Sequence, residues 1–247
     1  MTTQSAVAAG GVRTAPAEDA AGMTGMQKMA SRMWAPWTVM GLMMVVISFV
    51  IALVVSNIEA GWFEASKAAR EAAAAGSSLA VDKGVIEATK AWVPGFKFLG
   101  LGFMLGGITF LLATILGNLR VGGGNVQRAL GVPVVLPDPP MTAKLFPMLM
   151  MMGMMILIAA FGVSIWLGIN SANYWDHSIM NELNPAGEGS SLLRDLGRIQ
   201  ATKTWLTPLK FVGMAFMFSG IALALLTIVT VLRAQTSRIV EIASGNR

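Results

Sequence analysis

The chain has no cysteine, one histidine and little charge. Of its 247 residues 13% are charged, whereas about a quarter of an average soluble domain is charged. Without cysteine, the chain cannot bind an iron–sulfur cluster through its own thiolates, attach haem through cysteine, form a disulfide or use a thiol nucleophile. His177 alone cannot supply both ligands of a bis-histidine haem. The low charge argues against a soluble globular protein.

The sequence contains long uncharged stretches. Four of them lack Asp, Glu, Lys, Arg and His, and each exceeds the roughly 20 residues that a helix needs to cross the bilayer core. They cover residues 33–58, 98–119, 145–175 and 211–232. The sequence therefore predicts an all-α integral membrane protein with four transmembrane helices. No cleavage site precedes the first stretch, so we expect the first helix to act as its own insertion signal.

The distribution of charge predicts the orientation in the membrane. The N-terminal tail, the 120–144 connector and the C-terminal tail would share one side, and together they carry nine basic and four acidic residues, a net charge of +5. The other two loops, counted together with the flanking Lys97 and Lys210, carry nine of each, a net charge of zero. Because Lys and Arg concentrate on cytoplasmic segments, both termini should be cytoplasmic and loops 59–96 and 176–209 periplasmic, in the inner (plasma) membrane. The basic residues do not cluster with aromatics, which argues against nucleic-acid binding.

An internal repeat is present at an offset of 113 residues. Residues 86–108 align with 199–221, and 12 of the 23 positions are identical, following the pattern A-T-K-x-W-x4-K-F-x-G-x2-F-M-x2-G-I. The first helices match more weakly, for example at Pro36 and Pro147. The sequence thus predicts two tandem two-helix repeats. Each unit crosses the membrane twice, so both copies enter in the same direction and are related by an axis near the membrane normal.

The repeat defines the expected organisation of the chain. The triple glycine at 122–124 neither follows a strand nor precedes Lys-Ser/Thr, so a flexible exit is favoured over a phosphate-binding loop. The predicted segments are a polar N-terminal tail (1–28), a first transmembrane hairpin repeat (29–128), a Pro-rich cytoplasmic linker (129–140), a second transmembrane hairpin repeat (141–241) and a C-terminal tail (242–247).

The two outer loops have helix-forming sequences. Residues 64–75 are mostly strong helix formers, and Ser190 is placed to cap a helix over 191–199. We therefore expect each hairpin to carry a small helical periplasmic cap. The apolar side of the caps would lie on the other cap, the membrane surface or a partner protein.

Small residues recur along the second helix of each hairpin. In lipid, such residues allow close approach of helices, because association depends on van der Waals packing. The packing could be between the copies, within each hairpin or against other subunits. The predicted helix-packing positions are Gly100, Gly102, Gly106 and Gly107 in the first copy and Gly213, Ala215, Ser219 and Gly220 in the second.

Amphipathic side chains lie at the helix ends. Indole rings anchor helices at the headgroup level, and a lysine there can extend to the interface or bind a lipid phosphate or a partner's acid. The predicted interfacial or lipid-contacting residues are Trp34, Trp37, Trp62, Trp92, Lys97, Trp175, Trp205 and Lys210.

Two features suggest a metal only weakly. Six methionines between 148 and 155 could offer thioethers to cuprous copper, but consecutive positions point around a helix and favour adaptable packing. His177 is expected to be an interfacial hydrogen-bonded residue, the alternative being one ligand of a site shared with another chain. No nucleophile with a base or other catalytic motif is recognisable, so no enzymatic activity, metal or cofactor is expected.

The absence of charge from the helix cores limits the range of possible functions. Ionisable groups within the membrane normally mark proton relays and ion pathways, and all four cores lack them. The leading prediction is a non-catalytic integral subunit of a larger inner-membrane complex, packing on other integral subunits, on itself as a homo-oligomer, and on lipids. The alternatives are a small channel or transporter for a neutral or apolar solute, and a quinone- or cofactor-binding membrane subunit.

Overall fold

The computed structural model describes residues 25–134, 140–176 and 185–245, and the secondary structure in those ranges is entirely helical. Within these ranges every helix but the second is long and apolar enough to cross a membrane, in agreement with the four predicted helices. The helices are α1 (Gly25–Glu64), α2 (Lys67–Glu71), α3 (Ser78–Ala129), α4 (Thr142–Trp175) and α5 (Ser191–Ala243).

Two of the helices are much longer than a bilayer core. α3 has 52 residues and α5 has 53, so each is about 80 Å long at 1.5 Å per residue, against a hydrocarbon core of about 30 Å. The uncharged stretch of α3 begins at residue 98, twenty residues after the helix starts. We call the end where α1 and α4 finish and α3 and α5 begin the distal end, and the opposite end the proximal end.

The distal extensions are continuous with the membrane helices. Of the residues predicted to form a helical cap in the first loop, only Lys67–Glu71 form a helix of their own, α2. The other helical residues of the loop belong to the last turns of α1, up to Glu64, and to the first part of α3, from Ser78. Pro94 lies inside α3 and Pro208 inside α5, and a single proline removes one backbone hydrogen bond without ending so long a helix. α3 and α5 thus project beyond the uncharged stretches, and the helical periplasmic caps stay a prediction.

Serine residues start both long helices. The Ser190 hydroxyl accepts a hydrogen bond from the Leu193 amide at 3.3 Å, and Ser77 accepts one from the Ala80 amide at 3.4 Å. Each bond satisfies an amide that the first helical turn leaves without a partner. The predicted Ser190 cap is confirmed, and Ser77 is its equivalent at the start of α3.

The helices run up, down, up and down, and α4 is central. Within the described residues α1 packs chiefly on α3, whereas α4 packs on both α3 and α5, which also touch each other. A mid-span cluster of buried side chains includes Leu99, Met154, Leu157 and Met217. A second cluster extends the core towards the distal end through side chains that include Leu167. α1 is the least buried of the four spans, and its surface is apolar, as a lipid-facing surface should be.

Candidate functional site

Close backbone contact joins α1 to α3. A Cβ atom added at Gly41 would lie 2.5 Å from the Gly100 carbonyl oxygen and 2.6 Å from the Met104 amide nitrogen. A Cβ at Gly107 would lie 2.9 Å from the Trp34 carbonyl oxygen. Side chains at these positions would force the backbones apart, so the glycines form the seam of the first hairpin.

The seam between α4 and α5 is built in the same way. A Cβ at Gly153 would lie 2.7 Å from the Gly213 carbonyl oxygen and 3.0 Å from the Met217 amide nitrogen, and one at Gly220 would lie 3.1 Å from the Phe146 carbonyl oxygen. These residues are 112 or 113 positions after those of the first seam. Of the three kinds of packing that the sequence left open for these glycines, the structure has packing within each hairpin.

The other two small residues of α3 face different neighbours. A Cβ at Gly102 would lie 2.5 Å from Leu157 Cδ1 of α4, and one at Gly106 would lie 2.8 Å from the Trp37 ring of α1 and 3.7 Å from Met154 Cε of α4. Gly102 and Gly106 therefore admit α4 from the other hairpin. The residues 113 positions later, Ala215 and Ser219, are exposed on α5, so no helix of the described chain packs over them.

The contact of α3 with α4 continues to the distal end. A Cβ at Gly84 would lie 3.1 Å from the Ala172 carbonyl oxygen. One at Gly168 would lie 3.3 Å from the Cβ atom of Trp92. The two helices thus remain in close contact well beyond the middle of the membrane, and together they form the main interface between the hairpins.

Charged side chains link the helices at the distal end. Glu87 of α3 accepts hydrogen bonds from Lys83 at 3.0 Å and from Lys203 of α5 at 3.1 Å. The three side chains are 17 to 29% exposed, so solvent screens their attraction less than it would screen a surface pair. Lys90 pairs with Glu59 of α1. These ion pairs connect α1 to α3 and, across the hairpins, α3 to α5.

Aromatic rings extend this charged group. The Lys83 ammonium lies 4.9 Å from the centre of the Trp62 ring and 5.0 Å from that of Trp175, and the Arg70 guanidinium lies 4.5 Å from the Trp62 ring. Such cation–π contacts contribute about 0.5–2 kcal/mol each. The Trp62 indole nitrogen also donates to the Leu79 carbonyl oxygen at 3.1 Å. We define the distal cluster as Glu59, Trp62, Arg70, Lys83, Glu87, Lys90, Trp175 and Lys203.

Sequence reasoning predicted only the two tryptophans of the distal cluster, and as membrane anchors. The i,i+4 spacing of Lys83 and Glu87 is a signal that favours a helical ion pair. Nothing in the sequence places Lys203 beside Glu87, because 116 residues separate them. The contact depends on how the two hairpins pack.

The predicted interfacial residues fall into two groups. Trp34 and Trp205 are exposed, whereas the other four tryptophans of the prediction are partly buried in contacts within the chain. Trp37, for example, packs edge-on against Phe103 and Phe110, with ring centres about 5 Å apart. The two lysines also differ: Lys97 is exposed, but Lys210 is only 4% exposed.

Among the cavities at the helix surfaces, three are lined by described residues. An apolar groove of about 490 Å³ lies between α1, α3 and α4, with Trp92, Phe96 and Phe161 among its lining residues. Its shape and chemistry suit an acyl chain or another flexible apolar group. A second cavity, of about 340 Å³, lies between α1 and α3 beside Lys97. A third, of about 270 Å³, lies between α4 and α5 and includes the pair Asp195 and Arg198 together with Asn170, Asn173 and Tyr174.

The two weak metal features gain no site from the described residues. Met150 and Met154 are buried, while Met148, Met151, Met152 and Met155 are exposed, so the thioethers point around α4 as expected for packing. His177 lies outside the described residues, as do Pro137 and Pro139 of the linker. Among the residues that are described, no group of three or more His, Asp or Glu side chains could hold a metal ion.

Comparison with known proteins assigns the chain to no family. No protein family, curated protein or solved structure matches it significantly. A function is therefore argued from the seams, the distal cluster and the exposed faces of the helices.

Proposed function

We propose that the chain is a non-catalytic integral membrane subunit that packs within and stabilises a larger membrane protein complex. The observation that carries the proposal is the distal cluster. Its carboxylates bind its lysines, with Glu87 joining Lys83 to Lys203 and Lys90 bound to Glu59, and Arg70 lies over the Trp62 ring. Charged groups that are paired in this way fix the positions of the helices relative to one another, as expected in a structural subunit.

The matched seams support a duplicated hairpin. Gly41 meets Gly100 as Gly153 meets Gly213, and the two pairs stand at offsets of 112 and 113 residues. We interpret residues 29–128 and 141–241 as two copies of one unit. Copies related by an axis along the membrane normal present similar faces to neighbouring subunits, and this arrangement suits a protein that assembles laterally in the membrane.

The proposed location is the inner (plasma) membrane with both termini cytoplasmic, on the charge difference of +5 against zero. The distal cluster is then periplasmic. Because the chain has no cysteine, single substitutions report the orientation. Ser78→Cys and Ser191→Cys should react with an impermeant thiol reagent on intact cells, and Ser244→Cys should not. These serines are exposed, whereas Ser77 and Ser190 are better left intact as helix caps. The opposite labelling pattern would invert the orientation.

Purification from native membranes in a mild detergent tests the function. We expect the chain to migrate with other integral membrane chains and its deletion to lower the amount of that complex. Reconstituted alone in proteoliposomes, the chain should give no saturable flux of neutral solutes. Saturable flux would favour the channel or transporter instead, and migration as an isolated monomer without partners would contradict a structural subunit.

The apolar groove favours a second candidate function, binding of a quinone or a similar apolar cofactor. Trp92 and Phe161 line it, and Ala88 lies on its α3 wall. Ala88→Phe would fill the groove, whereas Ala159→Phe, on an exposed surface of α4, is a matched control. Loss of a copurified isoprenoid in the Ala88→Phe variant alone, measured by mass spectrometry, would support this candidate. Unchanged composition in both variants would count against it.

A further inference from the structure

One face of α5 has no neighbour in the described chain. Its residues are exposed and include small side chains that allow close helix approach. On α3, the positions 113 residues earlier form the interface with α4, from Gly84 through Trp92 and Gly95 to Gly106. We define the open face of α5 as Gly197, Ala201, Trp205, Pro208, Val212, Ala215 and Ser219.

Leu157 illustrates how α4 covers the face on α3. Its Cδ2 atom lies 2.9 Å from a Cβ atom added at Gly213 of α5, and its Cδ1 atom lies 2.5 Å from one added at Gly102 of α3. Leu157 therefore fills the space between the two long helices. α4 therefore takes part in two interfaces. One is the seam of its own hairpin, and the other is the contact with the other hairpin.

The counterpart of Leu157 in α1 serves one interface only. It is Val45, 112 residues earlier, and its Cγ2 atom lies 3.3 Å from a Cβ added at Gly100. This repeats the seam contact of Leu157. The side of α1 that corresponds to the α3-facing side of α4 is largely uncovered: Leu42 and Ser56 are exposed, and Ala52 is exposed at the cavity between α1 and α3.

The two uncovered faces are complementary halves of one interface. If the hairpins were related by a closed two-fold axis, α5 would pack on α1 as α3 packs on α4. In the described residues, however, α1 packs on α3, and α5 packs on α3 and α4. The chain thus contains the interface once in full and presents one half of it at each end.

We propose that a second copy of this chain covers the open face of α5 with its α1 helix, repeating the packing of α4 on α3. The inference rests on the proposed structural function and on the duplicated hairpin. It names the partner as the chain itself. Such a head-to-tail contact joins different surfaces of the two copies, so it forms a ring if the rotation closes and an open row if it does not.

The internal interface specifies which residues should meet. A Cβ at Gly168 would lie 3.3 Å from the Cβ of Trp92, slightly closer than the about 3.5–4.5 Å between the Cβ atoms of a disulfide, so a small shift of the helices would allow the bond. The corresponding residues between copies are Ser56 of α1 and Trp205 of α5, at offsets of 112 and 113. Both are exposed in the single chain.

Disulfide formation between two differently tagged chains tests the contact. One chain carries Ser56→Cys and the other Trp205→Cys, and both are expressed together and oxidised in native membranes. We expect a dimer that carries both tags. Thr207→Cys, exposed on another side of α5 at the same level, is the matched control and should give no dimer with Ser56→Cys. A chain carrying both Trp92→Cys and Gly168→Cys, which should close an internal disulfide, verifies the oxidation.

A large side chain on the open face provides a second measurement. Ala215→Trp should abolish the Ser56–Trp205 disulfide and reduce the mass of the detergent-solubilised particle, whereas Met155→Trp, on an exposed surface of α4, should change neither. If the internal disulfide forms, other membrane subunits copurify and the dimer is absent, the inference is overturned and the proposed function stands. If the dimer forms and no other chain copurifies, self-assembly stands and a role within a complex of different subunits is lost.

Discussion

The two hairpins have similar seams and different surroundings. Gly41 meets Gly100 in the first, and Gly153 meets Gly213 in the second. Outside the seam, α4 is enclosed by α3 and α5, whereas α1 has α3 alone as its main neighbour among the described residues. The comparison shows that similar sequences in the two hairpins go with similar packing inside each hairpin. Outside the seams, the burial of a residue depends on which neighbouring helix packs over it.

The largest effect should come from widening the enclosed seam. Gly153→Leu places a side chain against the Gly213 carbonyl oxygen and the Met217 backbone, and overpacking of this kind should destabilise the chain by about 3 kcal/mol. Gly41→Leu creates the same clash in the first seam but displaces a helix with fewer neighbours, so we expect roughly 2 kcal/mol. Thermal unfolding in detergent, followed by tryptophan fluorescence, measures both.

Gly162→Leu is the control for the seam variants. Gly162 lies on α4, and a Cβ there meets nothing within 4 Å. The midpoint of thermal unfolding of this variant should therefore stay near that of the native chain. A Gly153→Leu chain as stable as Gly162→Leu would refute the second seam. Equal losses for Gly41→Leu and Gly153→Leu would remove the difference between the hairpins.

The next effect separates the covered face from the open one. Gly102→Leu meets Leu157, which cannot retreat because it also touches Gly213, so a loss of about 2 kcal/mol is expected. Ala215→Leu, at the corresponding position of exposed α5, should stay within about 0.5 kcal/mol in a dilute, monomeric detergent sample. Denaturation midpoints of the two variants measure this difference. A large loss for Ala215→Leu in the monomer would mean that α5 is already covered there.

A smaller effect should distinguish the ion pair between hairpins from the pair within one. Glu87→Gln removes a carboxylate that binds two ammonium groups and is 17% exposed, whereas Glu59→Gln removes one that is 30% exposed and binds a lysine that is 48% exposed. We expect the free energy of unfolding to fall by about 1.5 kcal/mol in Glu87→Gln and by less than about 1 kcal/mol in Glu59→Gln. The first loss should also separate the hairpins at the distal end, visible as less efficient closure of the disulfide between Trp92→Cys and Gly168→Cys. Losses in the reverse order would show that Glu59 is the stronger link.

The smallest effect concerns the tryptophans of the distal cluster. Trp62→Phe keeps an aromatic ring for Arg70 and Lys83 but loses the hydrogen bond to the Leu79 carbonyl oxygen, so about 1 kcal/mol should be lost. Trp175→Phe keeps a ring for Lys83 and should cost less. Urea denaturation compares the two variants, and a greater loss for Trp175→Phe would reverse the assigned roles.

Much of the fold was predictable because hydrophobicity and helix capping act locally. The four uncharged stretches predicted the spans, and Ser190 predicted the start of α5. Gly100, Gly107, Gly213 and Gly220 were identified as packing positions, but their partners were not, since a small residue admits any close neighbour. The duplicated hairpin stays a prediction that the paired seams support.

The unpredicted part of the site depends on contacts between distant residues. Lys97 and Lys210 occupy equivalent places in the sequence pattern, yet the first is exposed and the second buried. Gly102 and Ala215 also occupy equivalent places but differ in the opposite sense, because Gly102 is buried and Ala215 is exposed. The sequence pattern does not predict these differences in exposure, because the exposure of each position depends on the helix that packs over it. Likewise, Lys203 contacts Glu87 only once the two hairpins have packed together.

The prolines of α3 and α5 have a mechanical consequence. Pro94 and Pro208 lie just distal to the uncharged stretches, and each leaves the carbonyl four residues earlier without its helical amide donor. Bending stiffness is therefore lowest at about the same level in both helices. The helical segments beyond the prolines, residues 78–93 and 191–207, are linked by the Glu87–Lys203 ion pair, so a force applied to either segment should tilt both together.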